Sequence, residues 1–207
     1  LARRAFRRPV TAEDLEGLMV QYHAGRIEGN FETGIRTAIQ AVIAKPEFVF
    51  RFERPPRDGL PGQEYPISDL ELASRLSYFL WSSIADDELI EVASAGELRD
   101  SDVLEYQVKR MLADPRSEAL AINFAGQWLR LQGIQEVLPE PTLFPNYTKN
   151  LGQSMRREVE LLFDDIMRRD KNVLDLLTAD YTFVDGSLAK HYGLGHVTGN
   201  RFRRVKL

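Results

Sequence analysis

Residues 68–81, Ser-Asp-Leu-Glu-Leu-Ala-Ser-Arg-Leu-Ser-Tyr-Phe-Leu-Trp, constrain the fold more than any other stretch of the chain. Ser68 can accept a hydrogen bond from a free backbone N–H, and Glu71, three residues on, can reach back to complete a capping box. Leu70, Leu72, Ala73, Leu76, Phe79, Leu80 and Trp81 then cover more than one face of the predicted helix. That distribution suits a helix packed against several neighbours and marks a buried centre. It does not mark an active site.

Helical spacing dominates nearly everywhere else. Thr11 and Asp14 form a second cap, for a helix carrying Leu15, Leu18, Met19 and Tyr22 that is expected to close at Gly25. Phe31, Ile35, Ala38, Ile39, Val42 and Ile43 make an amphipathic helix ended by Pro46. Four prolines and two glycines in residues 54–66 forbid regular structure, so the domain boundary is placed there. Beyond the 68–81 helix, Asp86-Asp87 starts a short helix that Gly96 stops, and Asp100, Ser101 or Asp102 caps the next. Asp114-Pro115 reads as an N-cap followed by proline at the first helical position. A long helix is predicted from about Tyr147 to Arg169, then shorter ones at Val173–Leu177 and Ser187–Tyr192. Tyr181–Val184 divides these last two. The fold class is all-α: an irregular multi-helix bundle with a small N-terminal helical subdomain (residues 1–53), a linker (54–66), a larger helical domain (67–207) and short extended pieces. Both ends of the chain read as cuts through a longer protein.

Composition removes several function classes. With 27 basic and 31 acidic residues the net charge is −4, which gives no overall attraction to nucleic acid. Arg3, Arg4, Arg7 and Arg8 at one end, and Arg201, Arg203, Arg204 and Lys206 at the other, are read as solvated helix ends or as partners of a neighbouring domain. The absence of cysteine rules out a disulfide, a thiolate zinc site, a Cys nucleophile and covalent c-type haem within these residues. No apolar run approaches the ~18 residues of a membrane span, so no transmembrane segment is expected. The first eight residues hold four arginines with no hydrophobic segment after them, so no signal peptide is expected in this stretch.

Few residues are candidates for chemistry. Glu158, Glu160, Asp164 and Asp165 are dense, yet helical spacing puts Glu158 and Asp165 on one face and Glu160 and Asp164 on another. Arg156, Arg157, Arg168 and Arg169 flank them as surface partners. No Glu-x-x-His occurs, so no metal site is expected. His23 is placed in the last turn of its helix, where a cation suits the macrodipole. His191, in Leu-Ala-Lys-His-Tyr-Gly after Asp180-Tyr181-Thr182-Phe183, sits where polar groups meet aromatics and is the stronger candidate for a base or ligand. Glu158, Asp180, His191 and Tyr192 together are the catalytic candidates. Asn123, Gln127 and Trp128, with Phe124, are candidates for a sugar-binding cleft, although Trp81 and Trp128 at helical spacing with leucines read first as core. Gly193-Leu194-Gly195 lacks the third glycine of a dinucleotide fingerprint.

Several motifs in series carry a resemblance. Leu1–Thr11 together with Phe31–Arg51 resembles a small domain of unknown function. Ser68–Trp81, Asp86–Leu89, Asn123–Leu129 and Ala179–Phe183 resemble the larger domain that follows it. The pair is similar to parts of the exported multidomain proteins of planctomycete-type bacteria, which often carry a cytochrome-c-like haem domain upstream. The resemblance implies export or a periplasmic location, no cofactor within this segment, haem in a neighbouring domain, and partners among the domains of the same polypeptide or in another protein. It transfers no catalytic residue, since no reaction is established for the family. His191 belongs to the Leu-Ala-x-His-Tyr-Gly pattern that the family resembles. Two functions follow as expectations: a helical scaffold or interaction module, or part of an oxidoreductase or polysaccharide-acting enzyme built around Asp180, His191 and Tyr192.

Overall fold

A computed structural model describes residues 1–53, 60, 62–137 and 139–207. Helices dominate, and a single antiparallel pair of short strands is the regular extended structure among the described residues, so the all-α expectation holds. Of the predicted linker, residues 54–59 and 61 lie outside the described residues. The chain divides into two compact units, Leu1–Arg110 and Met111–Leu207.

The first unit holds α1 (Ala2–Phe6), α2 (Ala12–Glu28), α3 (Phe31–Ala44), α4 (Pro46–Val49), α5 (Asp69–Trp81), α6 (Asp87–Ala95) and most of α7 (Ser101–Ala113). The capping box that opens α2 is complete: the Asp14 N–H donates to the Thr11 hydroxyl at 3.2 Å, and the Thr11 N–H donates to the Asp14 carboxylate at 3.0 Å. Gly25 does not end this helix. α2 continues to Glu28 because Gly25 is buried where α3 crosses it, and a Cβ there would collide with the Thr37 side chain. Gly34 of α3 is equally bare for the same reason, since a Cβ would stand 2.8 Å from the Tyr22 ring and carbonyl. His23 therefore lies inside α2 and not in its last turn, with its ring edge-on to Tyr22 at 5.3 Å.

α5 has the predicted cap, with the Glu71 N–H on the Ser68 hydroxyl at 3.3 Å and the Ser68 N–H on the Glu71 carboxylate at 2.7 Å. It buries Asp69, Ala73, Ser77, Leu80 and Trp81, whereas Phe79 is 54% exposed and Leu70, Leu72 and Leu76 are half-buried. One face and its end are covered, so the apolar circumference is only partly used. Buried Asp69 accepts from the Leu98 N–H at 2.8 Å and from Arg99 at 2.6 Å, which ties the start of α5 to the chain beyond α6. Three of the N-terminal arginines are likewise spent internally. Arg3 pairs with Glu91 at 3.2 Å, Arg7 donates to the Glu47, Phe48 and Phe50 carbonyls, and Arg8 pairs with Asp14 at 2.6 Å.

The second unit begins with one broken helical run: a 3-10 turn at Pro115–Ser117, α8 (Glu118–Leu120), a π-helical turn at Ala121–Ala125, and α9 (Gly126–Trp128). Asp114 caps it through the Arg116 N–H at 2.8 Å, with proline at the first position as expected. There follow α10 (Gly133–Glu136), α11 (Lys149–Arg168), α12 (Asp175–Thr178), β1 (Tyr181–Val184), α13 (Gly186–His191) and β2 (Arg203–Lys206). β1 and β2 pair antiparallel, Tyr181 opposite Lys206 and Val184 opposite Arg203. Leu151, Val184, Leu188, Ala189 and Val197 form the core, with Tyr147, Met155, Leu194 and Val205 packed on it. The C-terminal cations also serve the unit itself: Arg204 stacks over the Tyr181 ring at 3.9 Å and Lys206 faces Asp180 at 3.6 Å.

Candidate functional site

α11 supplies the acidic side chains, and the structure sends them to separate partners. Glu160 is buried and takes Arg156 at 2.7 Å and Arg157 at 3.2 Å, while Arg157 also reaches Glu118 of α8. Asp164 pairs with Arg168 at 2.8 Å. Asp165 accepts from Lys171 at 2.8 Å, from the Tyr181 hydroxyl at 3.0 Å and from Arg169 at 2.7 Å. Burial opposes ionisation of Asp165, but the Lys171 and Tyr181 hydrogen bonds and the nearby cations outweigh it and hold the carboxyl below its ordinary value. The arginine pairing read from the spacing is present, although Glu160 and Asp165 are buried and not on a solvated face.

Among the described residues, Glu158 forms the one hydrogen-bonded constellation that joins catalytic candidates. One of its oxygens accepts from the Thr182 hydroxyl and the other from the Tyr192 phenol, the latter at 2.9 Å. Three elements meet here: α11, β1 and the residue that follows α13. Glu158 and Asp165 lie two turns apart on one face, as their spacing predicts, and receive hydroxyls from successive residues of β1. Burial first, then the bond to Glu158 and its charge, push the Tyr192 phenol up to about 12. At neutral pH Tyr192 is therefore a donor. Both Glu158 oxygens already accept from a hydroxyl. The arrangement is a clamp that pins β1 and the end of α13 to α11.

The other candidates stand apart from this clamp. Asp180 is largely exposed and faces Lys206. His191 is exposed, with its ring 5.5 Å from that of Tyr192. Among the described residues neither makes a hydrogen bond to Glu158 or Tyr192. Also among the described residues, no three His, Cys, Asp or Glu side chains group as a metal site would need. No helix there is long and apolar enough to cross a membrane.

The sugar-cleft candidates lie on the π-helical turn and just after it. Trp81 is core, 3% exposed, but Trp128 is not: it is 56% exposed and stacks on exposed Phe124 at 5.9 Å and 24°. Extra residues per turn explain the difference, because Ala121 and Ala125 take the buried positions that α-helical spacing would assign near Phe124 and Trp128. Asn123 and Gln127 are exposed, and the Phe163 ring of α11 lies 6.3 Å from that of Phe124.

Sequence reasoning named Glu158 and Tyr192 but missed Thr182, which sits 24 residues from Glu158 and was visible only as one member of the Asp-Tyr-Thr-Phe motif. Residues 1–53 match PSD5, a protein of unknown function (DUF1595), and residues 67–194 match PSD4, a protein of unknown function (DUF1592). No curated protein and no solved structure matches the chain. With the latter match spanning more than half of its 207 residues, the chain belongs to the DUF1592 family.

Proposed function

We propose that this chain is a helical scaffold or interaction module of an exported, cytochrome-c-linked multidomain protein, holding neighbouring domains or a protein partner through its helix faces. One observation carries this reading. Phe31, Ile35, Ile39 and Ile43 follow one another every four residues along α3 and are all exposed, as are Leu15 and Met19 of α2. An apolar stripe of this kind gains free energy when a second surface covers it. The polar side chains of the catalytic constellation, by contrast, are already satisfied by one another. Export and the link to haem rest on the resemblance of the two domains, and the chain has no Cys-x-x-Cys-His of its own.

The test uses full-length protein carrying a photo-crosslinking phenylalanine derivative at Ile35, with exposed Glu16 as the control position. The reading expects Ile35 to crosslink to a defined peptide, either from another part of the same polypeptide or from one partner protein. Crosslinking no stronger than at Glu16 overturns it. A second reading, saccharide binding, is favoured by the exposed Phe124–Trp128 stack, with Asn123 and Gln127 exposed on the same helical run. An enzymatic role around Asp180, His191 and Tyr192 has less support, because among the described residues no hydrogen bond joins the first two to the third.

A further inference from the structure

A cavity of about 470 Å³ opens between α13 and the loop from Gly193 to Asn200. We propose that it binds a small molecule bearing a phosphate or sulfate group. Its volume falls within the range of small-molecule sites, roughly 300–1,000 Å³, and exceeds what a bare oxyanion fills. Its single charged lining residue is Lys190, and no carboxylate lines it. Among the described residues the Lys190 ammonium has no hydrogen bond or ion pair. Its place in the last turn of α13 suits the helix dipole, but that interaction leaves all three N–H donors open.

The remaining wall is rich in donors. Ser187 and Thr198 contribute hydroxyls and Asn200 an amide. Among the described residues, the backbone N–H groups of Gly195, Thr198, Gly199 and Asn200 enter no hydrogen bond within the protein. Runs of uncommitted N–H groups beside a lysine are the usual makings of an oxyanion site. Gly195 adds a separate point. Its φ is outside the left-handed region, and a Cβ there would meet nothing within 4 Å, so neither backbone nor packing demands glycine. A carboxylate ligand would use two acceptor oxygens, whereas a tetrahedral ester presents three and matches this donor set better. The proposal does not depend on the docking role of α2 and α3.

The experiment is a titration of ¹⁵N-labelled protein followed by amide resonances. Probes are inorganic phosphate, inorganic sulfate, glucose 6-phosphate and glucose 6-sulfate, with glucose and chloride as controls at matched ionic strength. Saturable shifts confined to Gly195, Thr198, Gly199 and Asn200 are expected with the oxyanions and absent with glucose and chloride. Tighter binding of the esters assigns the ligand as an organic ester, and equal binding assigns a free oxyanion. Lys190→Gln should weaken binding about tenfold while leaving the thermal midpoint unchanged, as suits an exposed side chain. Shifts that grow linearly with salt, spread over basic residues, or persist unchanged in Lys190→Gln overturn the proposal.

Discussion

The α2–α3 hairpin and the surroundings of α11 solve the same packing problem by opposite means. In the hairpin, helices meet through small residues: Gly25 against Thr37, Gly34 against Tyr22, and Gly29 against Thr33. α2 buries only Asp14 and Gly25, and α3 only Gly34 and Val42. α11 buries Leu151, Gly152, Ser154, Glu160, Asp165 and Ile166, and its polar members are bonded: Ser154 to Asp185 at 2.7 Å, Glu160 to two arginines, Asp165 to Lys171 and Tyr181. Backbone closeness leaves large apolar side chains unused, while directional bonding consumes the polar ones. The hairpin can therefore still release free energy on meeting a partner. The α11 region has little left to give.

That contrast can be broken most sharply at Gly34. Gly34→Val places branched carbon against the Tyr22 ring and carbonyl, and we expect about 3 kcal/mol of destabilisation in urea unfolding. Gly17→Ala, on α2 where a Cβ meets nothing within 4 Å, should instead stabilise by about 0.5 kcal/mol. Equal effects at the two positions would remove close approach as the hairpin's organising feature.

The matching assault on α11 is Asp165→Asn, which leaves Lys171 and Arg169 without their anion. A loss of about 2 kcal/mol is expected, below the usual range for a buried pair because Arg169 is largely in solvent.

Acid weakens both regions, since the Asp14 and Asp165 carboxyls are both held below their ordinary values, and it can be read separately at Asp14. Asp14 is held well below its ordinary 3.8, first by the Arg8 hydrogen bond, against the opposing effect of burial, with Thr11 and Lys45 assisting. A depressed carboxyl contributes stability that is present above its unfolded value and is lost as pH falls through the folded one. Thermal midpoints should therefore begin to drop below about pH 4, and Asp14→Asn should flatten that part of the profile. Unchanged acid slopes in the variant would place the acid sensitivity elsewhere.

The smallest effect is expected at the clamp. The Tyr192 phenol rises from 10.0 to about 12, so its protonated form is favoured in the folded chain. The contribution is complete below pH 10 and disappears as pH climbs towards about 12. Tyr192→Phe should remove that alkaline decline, read from unfolding at graded high pH.

Local chemistry was legible in the residues, and distant pairing was not. Ser68 with Glu71, Thr11 with Asp14, Asp86 before α6 and Asp114 before Pro115 cap the helices that their spacing announced. Each needs only three or four residues to be read. Gly25 resembled a stop signal because its reason, the crossing of α3, lies twelve residues away at Thr37. Trp128 resembled core because the periodic template assumes 3.6 residues per turn, and the π-helical turn breaks it. β2 escaped notice since Arg-Arg-Val-Lys has no alternating pattern and is extended by pairing with β1. At the candidate site, Glu158 and Tyr192 could be named as reactive types, but the hydroxyl that links them to β1 is fixed only by the fold.

The bare crossing of α2 and α3 has a further consequence for how such a surface changes over generations. Because the spacing of the two helices is set where bare glycines meet Thr37 and Tyr22, the outward residues other than Phe31, which meets the Tyr22 ring, are not what fixes it. Their identities can be exchanged to suit a new companion without loosening the platform that displays them.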